Sequence, residues 1–236
     1  MAVATPATAQ PTPRTALVAG ANGLTGNALV RLLLRSSDYA RVQALTRRPL
    51  PLEHPRLANR ILKYEELVAR LAGTRCDDAF CCLGAAGGPR AAAADLRQVD
   101  LELALAFARA AKAAGATRLV VLSAAGAVPG ARSNFLRVKG ELEAALRELK
   151  YPALDILQPG LVVGERAGGG ATETLRQVVA PLVNLVMLGK LEESRWIPGT
   201  DLAAAMLGVA RGRRSGVSSY SGKRLVQLTA AGLHTA

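Results

Sequence analysis

Three glycines spaced three residues apart, Gly20, Gly23 and Gly26, stand between an apolar run (Leu17, Val18, Ala19) and an apolar-periodic segment (Leu29, Val30, Leu32, Leu33). The chemistry this spacing suits is anion capture. The first glycine lets the chain reverse tightly, the second lets backbone approach a diphosphate, and the third lets the following helix lie against the preceding strand. The backbone around Asn22, Leu24 and Thr25 completes the turn, and the helix N-terminus adds unpaired N–H groups and the positive end of its dipole. The pattern is G-x-x-G-x-x-G where G-x-G-x-x-G is commoner, so its meaning comes from the strand–turn–helix context.

A second anion-seeking feature lies at the end of the next strand. There an acidic residue would bind the free ribose diol of a dinucleotide, whereas basic residues would bind a 2′-phosphate. The strand ends at Thr46 and runs into Arg47 and Arg48, with no Asp or Glu beside them. Two guanidiniums can clamp a phosphate by forked, charge-assisted hydrogen bonds, so the expected cofactor is NADP(H) and not NAD(H). Tyr64, after the third strand, suits either a place near the adenine or simple packing. Cys82, Leu83 and Gly84 end the central strand, where small residues let backbone approach the nicotinamide ribose.

The elements that must position these residues alternate regularly. Strands are expected over Thr15–Ala19, Arg41–Thr46, Asn59–Lys63, Asp78–Leu83, Arg118–Ser123 and Leu154–Gln158. Helices are expected over Leu24–Arg35, Glu65–Leu71, Ala92–Ala114 and from a Ser133 cap to Leu149. Such alternation implies an α/β fold with a doubly wound parallel sheet, whose ligands sit beyond the strand C-termini. Residues 1–13, rich in Pro, Thr and Ala, read as a flexible tail and 14–160 as the dinucleotide-binding core. Residues 161–236 read as a C-terminal lobe of the same domain that completes the substrate cleft. That lobe holds a glycine-rich loop at 164–170, an apolar helix over Thr172–Leu188, a turn at Trp196–Asp201 leading to a helix over Leu202–Ala210, and an edge strand within Ser218–Leu228.

Composition narrows the class further. The 236 residues are half hydrophobic and poor in aromatics, with a net charge of +12. The core must therefore be built from small aliphatic side chains, which suits helices laid on a parallel sheet. The positive charge is spread as arginine over polar faces, without a basic run interleaved with aromatics, so no specific nucleic-acid partner is expected. Cys76, Cys81 and Cys82 are odd in number and two are adjacent, which reads as reduced thiols in a cytoplasmic protein. No metal-ligand spacing, secretory leader or membrane-spanning run is present, so neither a metal nor a membrane is expected. The helices Phe135–Leu149 and Thr172–Leu188 could pair across a two-fold axis in a homodimer.

Several segments together resemble a known family. The glycine turn, FCCLG at 80–84, VLSAAGA at 121–127, SNFLRVKGE at 133–141 and QPGL at 158–161 are similar to the atypical short-chain dehydrogenase/reductases, in the branch of the Tat-interacting protein of 30 kDa. The resemblance spans about Thr15 to Asp201. It implies a Rossmann fold, a bound NADP(H) and oxidoreductase chemistry on a small organic substrate that it does not name. Pro159 and Gly160 match the family's turn against the nicotinamide carboxamide.

The family's catalytic set is a hydroxyl after the fifth strand and Tyr-x-x-x-Lys on the next helix, where residues four apart share a face. The lysine lowers the phenol's pKa and holds the ribose, and the phenol exchanges a proton while hydride moves. Here the lysine is Lys139, but the tyrosine position holds Phe135, which has no transferable proton. Ser123 is present, with Ala124 beside it where the branch commonly has a second serine, and strand alternation lets only one of the two face the site. Other proton sources are unpromising. Tyr39 and Tyr220 have no evident route, Tyr151 lies about 18 Å along the helix, and Asp100 reads as a cleft carboxylate or a helix salt bridge. Two functions follow: an NADPH-dependent reductase with a degenerate catalytic set, or a catalytically silent NADP(H)-sensing protein.

Overall fold

A computed structural model describes residues 13–63, 66–71, 73–164, 196–212 and 214–233. The N-terminal tail, Tyr64, the glycine-rich loop beyond Gly164 and the Thr172–Leu188 segment lie outside the described residues. Seven parallel strands form one sheet in the order β3-β2-β1-β4-β5-β6-β9. They are β1 (Arg14–Ala19), β2 (Tyr39–Thr46), β3 (Leu57–Ile61), β4 (Asp78–Cys81), β5 (Arg118–Leu122), β6 (Ala153–Leu157) and β9 (Gly216–Tyr220). A separate parallel pair joins β7 (Val162–Val163) to β8 (Ile197–Pro198). The strand order reverses between β1 and β4, and a ligand crevice opens at such a switch point.

Side-chain alternation divides the core in two. Ala16, Val18, Phe80, Val120 and Leu157 face one layer, built from α1 (Leu24–Arg35), α6 (Gly199–Arg211) and α7 (Gly222–Leu233). Leu17, Ala79, Cys81, Leu119, Val121 and Ile156 face the other. That second layer holds α2 (Leu67–Leu71), α3 (Ala93–Asp95), a π-helical stretch (Leu96–Leu103), α4 (Ala104–Ala113) and α5 (Asn134–Glu148). Each face has one fully buried phenylalanine, Phe80 and Phe107, and apart from Tyr39, Tyr151, Tyr220 and Met206 the core is mainly Ala, Leu and Val. Alanine-rich helices such as α6, buried along Leu202–Ala210, can lie close to the sheet.

The end of the sheet remote from the crevice is held by charge. Arg14 pairs with Asp78 at 2.5 Å, and the Tyr39 hydroxyl donates to the same carboxylate at 2.7 Å. The motif repeats across the sheet: Arg118 pairs with Asp155 at 2.5 Å and the Tyr220 hydroxyl donates to it at 3.0 Å. Both arginines also donate to carbonyls at the C-terminal end of α6, Arg14 to Ala210 and Arg118 to Val209 and Gly212. They thus satisfy its last carbonyls and complement its dipole. Burial pushes the Asp78 and Asp155 carboxyls up and the Tyr39 phenol well up.

The structure redraws several expected boundaries. The third strand is Leu57–Ile61, and β4 stops at Cys81, before Leu83. The expected Ala92–Ala114 helix is a helical run whose middle widens to π geometry. Ser133 stands at the N-cap of α5, yet its side chain makes no capping bond. The expected strand within Ser218–Leu228 is β9 only as far as Tyr220; Gly222, at φ 49°, turns the chain into α7. In that segment Leu225 and Leu228 at helical spacing outweigh its one β-branched residue, Val226. Asp155→Ala would leave Arg118 buried without its counter-ion. Urea unfolding should show a loss of about 3–5 kcal/mol, larger than for the shape-conserving Asp155→Asn.

Candidate functional site

The glycine turn is built by backbone contacts. Gly20 ends β1 at φ 80°, and a Cβ there would lie 2.4 Å from the carbonyl oxygen of Cys82. A Cβ at Gly26 would lie 2.2 Å from the Gly20 carbonyl oxygen. The end of β1, the chain leaving β4 and the first turn of α1 therefore meet through main chain alone. Gly23 is the N-cap of α1, without a side-chain capping bond, and its N–H donates to the Gly20 carbonyl at 2.9 Å. The N–H groups of Leu24, Thr25 and Gly26 are the first of the helix and have no carbonyl four residues back inside it. A pyrophosphate suits this cradle, because these N–H groups and the positive end of the helix dipole face the end of the sheet, and the bare backbone at Gly20 and Gly26 lets the helix start there.

The residues after β2 join the same turn. Arg47 and Arg48 are exposed just beyond Thr46. The Asn22 side-chain amide donates to the Arg48 carbonyl at 3.3 Å, tying the glycine turn to the arginine pair. Leu24, in the first turn of α1, lies over Gly164 and Gly199, where Cβ atoms would approach its side chain to 3.0 Å and 2.5 Å. Cys82, Leu83 and Gly84 follow β4, and the Cys82 sulfur lies 3.7 Å from that of Met206. Burial raises all three thiols, Cys81 to about 11, so none is a nucleophile at neutral pH. Tyr64 lies outside the described residues.

Lys139 lies almost wholly buried at the C-terminal ends of β4 and β5. Its ammonium is 2.6 Å from Asp100 and donates to the Leu122 carbonyl at 3.3 Å. Asp100, in the π-helical stretch, also accepts the Ala85 N–H at 2.7 Å. It thereby fixes the loop after β4 to the lysine of α5. The salt-bridge alternative for Asp100 is the one observed, and the bridge lies inside the site. Arg97 adds an exposed link between the same elements, 3.4 Å from Glu141.

Ser123 continues the face of β5 that carries Leu119 and Val121, and so points under α5. Its hydroxyl donates to Glu143 at 2.5 Å, and Gln158 donates to the same carboxylate at 2.8 Å. Glu143 and Gln158 escaped the sequence reading. Glu143 stands one helical turn after Lys139, a spacing that marked it as sharing that face. Phe135, half buried, packs against the core. Tyr151 is spent on the Ala108 carbonyl at 2.5 Å. Pro159 accepts the Ala125 N–H at 2.8 Å, joining the loops after β5 and β6, and Gly160 follows it. Among the described residues no cluster has the make-up of a metal site.

A seven-stranded parallel sheet with a glycine cradle at its switch point defines a dinucleotide-binding Rossmann protein. Residues 20–172 match the model of a family described as NAD(P)H-binding, and the chain belongs to that family. Curated relatives include the mitochondrial protein FMP52 of Eremothecium gossypii, 32% identical over 151 residues, covering 64% of this chain and 67% of that protein. FMP52 of Saccharomyces cerevisiae is 31% identical, covering 67% and 73%. HTATIP2 of Rattus norvegicus is 32% identical, covering 65% of this chain and 64% of that protein. The chain thus aligns with about two thirds of the length of these relatives. Among solved structures, MoeE5 in complex with UDP-glucose and NAD superposes with a TM-score of 0.65 at 20% identity, covering 93% and 82% of the two chains. The oxidoreductase ylbE of Lactococcus lactis gives 0.64 at 19%, covering 94% and 97%. At that identity the likeness is one of fold.

These findings correct one expectation. The reduced cysteines suggested a cytoplasmic protein, but the FMP52 relatives are mitochondrial by name, and thiol state does not distinguish one reducing compartment from another. Among the described residues no helix is long and apolar enough to cross a membrane.

Removing Asp100 would strand the Lys139 ammonium in the interior. Asp100→Ala should cost about 3–5 kcal/mol in denaturant unfolding, and adding Lys139→Met should recover most of it. A double variant no more stable than Asp100→Ala alone would show that the two charges are not one unit.

Proposed function

We propose that this chain is an NADP(H)-dependent oxidoreductase acting on a small organic carbonyl or alcohol, with a proton-donating set reduced by Phe135. The observation that carries the reading is the bond at 3.3 Å from the Asn22 side chain to the Arg48 carbonyl, which ties the main chain of the exposed Arg47–Arg48 pair to the glycine turn. No carboxylate occurs between Leu45 and Leu52 to bind a free ribose diol. In this reading Gly20, Asn22, Gly23, Leu24, Thr25 and Gly26 hold the pyrophosphate, and Arg47 and Arg48 grip the 2′-phosphate. Lys139 orients the nicotinamide ribose, and Cys82, Leu83, Gly84, Pro159 and Gly160 bound the nicotinamide end.

The bound cofactor supplies the hydride. Asp100 holds Lys139 at the ends of β4 and β5, so the alignment that hydride transfer needs is prepared in advance. Phe135 offers no proton, and Ser123 gives its own to Glu143. Substrates whose product anion is already stabilised therefore suit the site best. The bond between Ser123 and Glu143 also supports a second reading, a silent NADP(H) sensor, because both usual proton-handling positions are then out of use.

Calorimetry tests the cofactor half. Arg47→Ala with Arg48→Ala should weaken NADPH binding tenfold to a hundredfold, the equivalent of about 1.5–3 kcal/mol for hydrogen bonds to a charged group, and leave NADH binding nearly unchanged. Equal losses for both nucleotides would refute a 2′-phosphate grip. For the chemistry, NADPH oxidation is followed over a panel of carbonyl compounds. Turnover by the wild type that rises at least tenfold in Phe135→Tyr is the expected result, general acids contributing about 10²–10⁴. Tight NADPH binding with turnover in the variant alone would establish the silent reading.

A further inference from the structure

The reading above leaves the substrate unnamed, and the inference here rests on it. The substrate half of the rim is formed, among the described residues, by the segments after β4, β5 and β6 and by the turn entering α6. The segment Gly84–Ala92 contains one ionisable side chain, Arg90, and Ala124–Ser133 contains one, Arg132. Gln158–Gly164 and Trp196–Thr200 contain none.

Both arginines are exposed. The short turn Gly88–Arg90 packs against α5, and Arg132 lies two residues before α5 begins, so both charges belong to one side of the opening. The carboxylates nearby are otherwise engaged. Asp100 is paired with Lys139, and Glu143 accepts from Ser123 and Gln158. Arg137, by contrast, is spent on Asn134 at 2.6 Å and on the Ala131 carbonyl. Asp95, exposed on α3, is the one acidic side chain close in sequence to Arg90, and no ion pair among the described residues joins it to either arginine. The segment that carries Arg132 also exposes Val128, at 52%, and the turn entering α6 exposes Trp196, at 66%.

We propose that the substrate is an organic anion with an apolar body, its carboxylate or phosphate received by Arg90 and Arg132. Guanidiniums match both groups with forked hydrogen bonds. With its lysine paired to Asp100, the interior of the site offers no other cation for that role among the described residues, and the rim arginines supply it. The positive rim also draws anions toward the opening before contact.

The test compares matched carbonyl pairs in NADPH oxidation: phenylpyruvate against its methyl ester, and dihydroxyacetone phosphate against dihydroxyacetone. The wild type should prefer the charged member of one pair at least tenfold in kcat/KM, and which pair responds tells carboxylate from phosphate. Arg90→Gln with Arg132→Gln should abolish the preference by raising KM for the anion, with NADPH affinity unchanged. Equal use of charged and neutral members, or a preference that survives the double variant, overturns the proposal.

A binding arm needs no turnover. Phenyllactate and glycerol 3-phosphate are titrated into the protein with and without NADP+. Binding of either that falls at least tenfold in the double variant supports the arginine site. Failure of both ligands to bind, or binding indifferent to the substitutions, overturns it in a protein that turns nothing over. Failure to bind NADPH would instead defeat the functional reading, while anion binding lost in the variant would still mark the rim.

Discussion

The close approach of main chain to main chain at the centre of the sheet is the constraint on which the rest depends. The carbonyl of Cys82 occupies the space a side chain at Gly20 would need, and the carbonyl of Gly20 does the same for Gly26. Because these contacts involve no side chains, β1, the start of α1 and the exit from β4 come together more closely than in an ordinary packed core. That closeness brings the first N–H groups of α1 to the switch point, where the two halves of the sheet diverge. The segment after β2 is tied to this junction by the Asn22 bond to the Arg48 carbonyl, and the lysine of α5 lies at the ends of β4 and β5 beside it.

Around the junction, charge is distributed in two ways. Inside, ions are mutually satisfied: Lys139 with Asp100, and Glu143 with Ser123 and Gln158. At the rim the arginines stay in water. Burying a charge is tolerable only with a partner, and the price of holding Lys139 inside is a carboxylate on the neighbouring helix. The π-helical stretch places that carboxylate. An extra residue in the turn is a common device for redirecting a side chain at a functional position, and here Asp100 reaches both Ala85 and Lys139.

Much of this was legible in the sequence because it is periodic or local. The glycine turn, the six leading strands and α1, whose bounds match Leu24–Arg35, follow from patterns that a short window contains. The strand ends were less legible, since a run such as Asp78–Leu83 stays apolar after its last ladder bond. So was α7, whose start depends on the left-handed turn at Gly222. The pairings of Ser123 and Lys139 were less legible: Asp100 was a candidate salt bridge without a named partner, and Glu143 and Gln158 meet Ser123 through packing across different elements. A lone acid on an apolar helix face was the available hint, and only for Asp100. The compartment was misjudged because cysteine usage reports redox poise and carries no address.

One helix spans the molecule between two very different attachments. The tail of α6 is gripped by guanidiniums from two strands, each locked to a buried carboxylate and a tyrosine, while its head meets Leu24 of α1 at Gly199 and accepts from the Thr229 hydroxyl of α7 at the Asp201 carbonyl. Such a strut is riveted by charge at the base and seated by packing at the top. Because that leucine belongs to the first turn of α1, the cradle and the upper end of the strut share one point of contact, far from the charged foot.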